Sequence, residues 1–300
     1  MAMNNQLPNK KLVAKSFGQA AANYDDVAVL QRQTADELLD RLSLMTLQPK
    51  CILDLGTGTG RNLDFLAKRY PKAQLIALDI APAMLQQARQ NYQQAVGLKR
   101  WLPNNKPHYF TGDAEHLPLA DNSIDLVFAN LTLQWCDPRQ SFVEIQRILR
   151  PDGLLMFTTL GPDTLHELRT AWATVDDYPH INMFYDMHDI GEAMMAAGLA
   201  EPVLDIDRYT LTYNNAMALM KDLKILGARN VNTGRRQGLT GKQTFKAVEQ
   251  AYQQFRTDAL FPATYEVVYG HAWGGQVTSQ QMADDGSVHI PISQIQRRQS

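Results

Sequence analysis

Between Lys50 and about Leu160, short apolar or β-branched runs alternate with stretches whose apolar residues recur at helical spacing. Cys51–Leu55, Gln74–Leu78, Ile124–Ala129 and Leu154–Thr159 read as buried strands. Leu63–Tyr70, Ala83–Tyr92 and Gln140–Leu149 read as the helices between them. Such alternation predicts a parallel sheet with helices on both faces. Pro151-Asp152-Gly153 marks a turn just ahead of the Leu154 strand. Beyond Thr159 the alternation loosens. Asp163–Val175 and Asp186–Ala197 carry helical patterns, the second closing at Gly198. Val203–Tyr213 reads as a strand, Asn215–Gly227 as helical, and Gly241–Thr257 as a helix after a Gly/Arg/Asn-rich loop. Thr264–Ala272 is strand-like through Tyr265, Val267, Val268 and Tyr269. From Gly274 onward the chain is polar and is expected to be peripheral.

Composition narrows the function. A chain of 300 residues with 45% hydrophobic and 20% charged residues has the make-up of a globular enzyme. Its net charge of −2 argues against a general nucleic-acid or membrane binder. Cys51 and Cys136 are the only cysteines, too far apart in sequence to suggest a disulfide framework or a metal-ligand spacing, so no metal is expected. The first fifteen residues lack the apolar core of a secretory signal, and no run approaches the roughly 18 apolar residues that span a bilayer. A cytoplasmic location is the expectation.

The chemistry gathers at the ends of the early strands. Asp54-Leu55-Gly56-Thr57-Gly58-Thr59-Gly60 leads from a strand into a helix, where backbone N–H groups are free and glycine leaves room for a ligand. Dinucleotide sites use G-x-G-x-x-G to admit a pyrophosphate; here the glycines alternate as G-x-G-x-G behind an acid. Asp54 is a poor neighbour for phosphates and a good one for the amino and sulfonium groups of S-adenosylmethionine. Asp79 closes the next strand twenty-five positions later, placed to accept from ribose hydroxyls. Asp113, in Gly112-Asp113-Ala114-Glu115-His116-Leu117-Pro118, suits an adenine amino group. Asn130-Leu131-Thr132-Leu133-Gln134-Trp135 follows the Ile124–Ala129 strand. Each is an ordinary turn residue on its own; four such features in order at carboxyl strand ends, where open α/β sheets bind ligands, are not. Thr57, Ile80, Met84, Ala114 and Leu131 fall beside these positions and complete the expected cofactor set.

This pattern resembles the class I methyltransferases, which implies a Rossmann-like sheet of seven mostly parallel strands, the last antiparallel, with helices on both faces and helical lid insertions. Five further segments resemble the malonyl-[acyl-carrier protein] O-methyltransferase family of biotin synthesis. They are Phe17–Tyr24 with Leu30–Gln33, Leu133–Cys136, Phe157–Leu165 with Glu167–Arg169, Asp222–Asn230 continuing to Gly238–Gly241, and Pro262–Trp273. The resemblance implies methyl transfer from S-adenosylmethionine, leaving S-adenosylhomocysteine, to the free carboxylate of a malonyl thioester. The partner implied is acyl carrier protein bearing a malonyl-phosphopantetheine arm. The ester then primes pimeloyl synthesis. The implied organisation is an N-terminal helical lid over residues 1–45 and a methyltransferase domain over 46–273. Helical insertions fall near 161–186 and 214–260, and 274–300 form a tail.

A carboxylate is ionised at neutral pH, so no general base is required. What remains is alignment and exclusion of water. Gln134 and Trp135 offer N–H donors at the strand end, against the plainer alternative of a capping amide and a core aromatic. Tyr24 belongs to the lid by resemblance, or to the core by its helical spacing from Phe17 and Ala20. Lys221, Lys224, Arg229, Arg235, Arg236, Lys242 and Lys246 form a basic stretch suited to an acidic carrier protein, or a solvated helix face. Arg169 and Arg229 are candidates for the malonyl carboxylate or the arm's phosphate. Another class I enzyme, a non-methylating relative acting on a protein partner, and a cofactor-binding scaffold stay open at this level.

Overall fold

The computed structural model describes residues 7–96, 106–231 and 241–275. Arg235, Arg236 and most of the polar tail lie outside the described residues. Seven strands form one sheet: β1 (Cys51–Leu55), β2 (Gln74–Asp79), β3 (His108–Thr111), β4 (Ile124–Ala129), β5 (Leu149–Leu160), β6 (Ala200–Tyr213) and β7 (Phe261–Trp273). Their order is β3-β2-β1-β4-β5-β7-β6. The first five pair in parallel, and β7 runs antiparallel between β5 and β6. This is the expected class I methyltransferase topology, with the strand near Thr264 as the antiparallel member.

The helices are α1 (Lys10–Ala20), α2 (Tyr24–Val27), α3 (Val29–Ser43), α4 (Arg61–Arg69), α5 (Pro82–Val96), α6 (Pro138–Ile148), α7 (His166–Ala173), α8 (Met187–Ala196), α9 (Ala216–Ile225) and α10 (Lys242–Tyr252). Side-chain caps set several starts. Asn9, Asp137, Asp186 and Asn215 each accept a backbone N–H in the first turn of α1, α6, α8 and α9. Strand alternation splits the core into two layers. Ile52, Leu126, Phe128 and Leu154 face α3, α4, α7 and α10. Leu53, Val127, Leu155 and Phe157 face α6 and α8.

Two boundaries differ from the periodicity. The helix expected over Asp163–Val175 is confined to His166–Ala173, because Leu165 adopts a left-handed φ of 54° and turns the chain first. The turn at Pro151-Asp152-Gly153 does not end pairing. Asp152 takes a φ of 62°, the register shifts between Ile124 and Leu126, and β5 continues back to Leu149.

Gly270 of β7 lies opposite Phe157 of β5, and a Cβ there would stand 2.3 Å from the Phe157 ring. Gly270→Ala is therefore expected to destabilise the fold by about 1–3 kcal/mol through overpacking. Thermal denaturation checks this: a midpoint equal to that of the unsubstituted protein would show that the Phe157 ring can move aside.

Candidate functional site

The site begins where the backbone leaves β1. Gly56 and Thr57 both donate N–H to the Leu78 carbonyl, at 2.8 and 3.0 Å, binding the turn to the end of β2. Asp79 Oδ2 accepts from the Gly58 N–H at 2.9 Å, and Oδ1 from the Ala81 N–H at 2.8 Å. Three glycines take left-handed φ values of 69°, 54° and 79° at Gly56, Gly58 and Gly60. Their purposes differ, which the sequence does not show. A Cβ on Gly56 would stand 2.1 Å from Thr132 Oγ1, and one on Gly60 2.7 Å from Ala88 Cβ. Those two glycines serve internal packing. At Gly58 nothing lies within 4 Å, so this glycine alone opens space for a ligand.

Two buried carboxyls belong to this turn; Asp79 lines the space, and Asp54 lies outside its lining. Asp54 is 1% exposed; Thr57 donates to its Oδ2 at 2.6 Å, while Oδ1 has no hydrogen-bond partner. Burial pushes Asp54 up to about 7, against the pull of Thr57 and Asn62. Burial likewise pushes Asp79 up to about 6, opposed by the N–H groups of Ala81 and Gly58. Asp79 and Asp113 around the open Gly58, with the orphaned Asp54 oxygen in the strand that leads into the turn, match a cationic ligand. The residues present therefore fit S-adenosylmethionine.

Gly58, Asp79, Ile80, Met84, Asp113, Ala114, Asn130 and Leu131 line one cavity of about 80 Å³. Lys10, Val13 and Phe17 of α1 close it from above. The sequence reading did not single out Lys10, although its spacing from Val13 and Phe17 puts all three on one helix face. Its ammonium contacts Asp113 at 2.9 Å, Glu115 at 2.8 Å and the Cys136 sulfur at 3.3 Å. Burial alone would lower the Lys10 value; Cys136, Glu115 and Asp113 more than reverse this. Burial pushes the Cys136 thiol up to about 11. Asp113, Glu115 and Cys136 have the spacing of a metal-ligand group, but the Lys10 ammonium stands among them.

A second cavity of about 340 Å³ adjoins the first. Phe17, Tyr24, Leu131 and Trp135 line both, so the two spaces meet at these four side chains. Phe17 packs edge-on against Trp135 at 5.3 Å. Tyr24 holds its proton well above the ordinary tyrosine range through burial, reinforced by Asp79 and Asp25. Gln134 borders the larger cavity, but its amide Nε2 donates to the Leu131 carbonyl at 2.7 Å. That leaves Oε1, an acceptor, as its unpartnered atom. Asn130 is also committed: it accepts from Thr34 and Thr158 and donates to the Gln31 carbonyl, tying α3 to the end of β4.

The basic candidates separate. Arg169 lies outside the cavity lining, where its guanidinium donates to the Pro162 and Thr164 carbonyls. Lys224 and Arg229 line the cavity and are exposed, at its mouth. Lys221, Lys242 and Lys246 are exposed, and none of these five forms an ion pair among the described residues. No helix among the described residues is long and apolar enough to cross a membrane.

Residues 53–157 match the family model described as a methyltransferase domain. The chain is 48% identical to the malonyl-[acyl-carrier protein] O-methyltransferase of Laribacter hongkongensis, covering 93% of this chain and 94% of that protein. It is 38% identical to the protein of the same name from Legionella pneumophila, over 99% of this chain and 100% of that one. In structure it resembles a putative methyltransferase from Bacillus halodurans, with a TM-score of 0.57 and 16% identity, covering 81% of this chain and 99% of the other. That last likeness shows a shared fold.

The raised carboxyls have a consequence for stability. Unfolded carboxyls titrate near about 3.9, so folding takes up protons between there and the folded values of about 6 and 7. The stability these groups contribute is fully present below about pH 4 and is lost as pH rises through 6 to 7. Asp54→Asn keeps the shape without titrating. In ligand-free protein, the unsubstituted thermal midpoint is expected to fall relative to that of the variant between about pH 5 and pH 8. A pH-independent difference would exclude the raised Asp54.

Proposed function

This chain belongs to the malonyl-[acyl-carrier protein] O-methyltransferase family, and we propose that it methylates the free carboxylate of a malonyl thioester held on acyl carrier protein. The observation that carries this reading is the meeting of two cavities at Phe17, Tyr24, Leu131 and Trp135. One has acidic partners for a cationic nucleoside; the other is larger and carries exposed cations. S-adenosylmethionine supplies a methyl group already activated on a sulfonium. Asp54 would hold its amino group, Asp79 its ribose and the Asp113–Ala114 turn its adenine.

The remaining work falls to the acceptor side. The malonyl carboxylate is ionised at neutral pH and needs no base. It needs alignment and dryness, which apolar Phe17 and Leu131 at the junction, with Leu30 and Leu165 in the larger cavity, favour. Trp135 contributes an indole N–H, and Tyr24, with its raised value, remains a protonated hydroxyl donor. Gln134 does not share this role equally, since its N–H already serves Leu131. The N-terminal helices act as a lid: α1 through α3 bring Phe17, Tyr24 and Leu30 over the junction. The stretches 164–184 and 220–230 act as inserted walls of the acceptor cavity. Lys224, Arg229 and the neighbouring lysines present a positive rim to an acidic carrier protein. Methyl esterification removes the charge at the end of the acyl chain, so an elongating enzyme built for apolar primers can accept the product.

The test offers S-adenosylmethionine with malonyl-carrier protein, malonyl-CoA or free malonate and reads mass. A gain of one methyl on the malonyl thioester, strongest on the carrier protein, is expected; no gain on any malonyl thioester would overturn the reading. Trp135→Phe should lower kcat roughly tenfold, the size of one lost hydrogen bond, with donor affinity retained. Unchanged turnover would remove Trp135 as a donor.

A further inference from the structure

The acceptor cavity holds an excess of one kind of polar atom. Gln31 Oε1, Gln134 Oε1 and Asn182 Oδ1 are all buried without a hydrogen-bond partner, and all three residues line this cavity. Asn182 is only 8% exposed. A buried polar atom without a partner is costly, and such atoms are few in native proteins. Three in one cavity point to a ligand that supplies donors.

The orientation of one of them is settled. Turning the Gln134 amide over would set two carbonyl oxygens against each other at the Leu131 contact, so Oε1 remains the free atom. Anionic groups are poor partners for such oxygens. Secondary amides are good ones, because each N–H donates once and in a fixed direction.

The cavity also has a direction. Gln134 adjoins Trp135 of the junction, and the Gln31 carbonyl accepts from Asn130, which lines the smaller cavity. Asn182 follows Pro179, whose carbonyl accepts from the Asn230 side chain, next in sequence to Arg229 at the mouth. The acceptors are therefore distributed between the junction and the mouth.

We propose that Gln31, Gln134 and Asn182 form a subsite that reads the amide N–H groups of a pantetheine-type arm, with Asn182 taking the amide farther from the thioester. The subsite rests on the malonyl-thioester reading and adds to it the part of the substrate that is recognised. It makes the arm itself, apart from the carrier protein surface, a determinant of rate. An extended arm carrying two amides enters past Lys224 and Arg229, meets Asn182, and delivers its carboxylate to Tyr24 and Trp135.

The experiment uses the full-length protein and three malonyl thioesters: of pantetheine with two amides, of N-acetylcysteamine with one, and of ethanethiol with none. For the unsubstituted protein, kcat/KM should fall roughly tenfold with each amide removed. Asn182→Leu should lose about tenfold on the pantetheine thioester and little on the other two. Asn182→Asp, which keeps an oxygen acceptor, should retain the preference for pantetheine. Equal kcat/KM on all three thioesters for the unsubstituted protein would overturn the subsite, whatever the variants do. An equal loss across the three for Asn182→Leu would also overturn it, by reducing Asn182 to a structural residue. No methylation of any thioester, carrier-bound malonyl included, would instead overturn the malonyl reading and the subsite with it.

Discussion

The donor half of this site depends on how tightly the β1 turn is held to the end of β2. Four backbone N–H groups, from Gly56, Thr57, Gly58 and Ala81, converge on the Leu78 carbonyl and the Asp79 carboxyl. Hydrogen bonds to a charged group contribute about 1.5–3 kcal/mol each, which offsets part of the cost of burying Asp79. Backbone held this way cannot relax, so a left-handed conformation is imposed at Gly56, Gly58 and Gly60. The close approaches of Thr132 to Gly56 and of Ala88 to Gly60 then bring the β4 end and α5 against the same turn. One anchored turn thereby sets the relative positions of Asp54, Asp79 and the strand end that carries Trp135.

The acceptor half is assembled differently. Most of its walls come from segments outside the β1-to-β5 unit, namely α1 to α3 and the stretches around α7 and α9, with Leu131, Gln134, Trp135 and Leu160 contributed by the unit. Each is tied down by a few polar contacts. Asn130 bridges Thr34 of α3 and Thr158 of β5. Ser16 of α1 donates to the Gly227 carbonyl at 2.9 Å, where α9 ends. Gly227 permits this approach: a Cβ there would stand 3.0 Å from the Ser16 carbonyl, and its φ is 76°. Two remote stretches of chain close over one cavity through that contact. The general methyltransferase match stops at residue 157, before α7 and α9 begin. The smaller cavity is built mostly from the matched unit and the larger one mostly from what surrounds it.

This division explains what the sequence could reveal. Strands with buried faces on both sides are near-continuous apolar runs, so β1, β2 and β4 were plain, with Asp54 and Asp79 at the first two; the short, largely exposed β3 ahead of Asp113 carries no such run. Asp54, Asp79 and Asp113 were legible because strand-end position gives an isolated acid its meaning. The different duties of the three glycines were not, since they depend on Thr132 and Ala88, which are distant in sequence. Gln134 was legible as a polar residue at the strand end, but which of its atoms is free depends on the Leu131 carbonyl. Arg169 looked like an anion ligand and instead secures two carbonyls of its own loop. Lys10 and Asn182 gave little sign, because neither sits at a strand end of the sheet. The antiparallel run of β7 followed from resemblance, but its place between β5 and β6 did not, as strand periodicity carries no order.

The placement of charge bears on the reaction itself. Transferring a methyl group from a sulfonium to a carboxylate erases one positive and one negative charge, so the transition state is less charged than the reactants. Water, or an arginine beside the carboxylate, would stabilise the reactants more than the transition state and slow the step. The two cavities meet instead at Phe17, Leu131, Tyr24 and Trp135, with no ionised side chain among the four. The cations of the larger cavity stand at its exposed mouth, and Arg169 is turned to its own loop. Asp79 and Asp113 line the other cavity, and the one acid lining the larger cavity, Asp222, sits on α9 beside Lys224 rather than among the four shared side chains. On the proposed reaction, the charges that would recognise each reactant are thus held away from the point of transfer, where neutral donors would orient the carboxylate without holding it back.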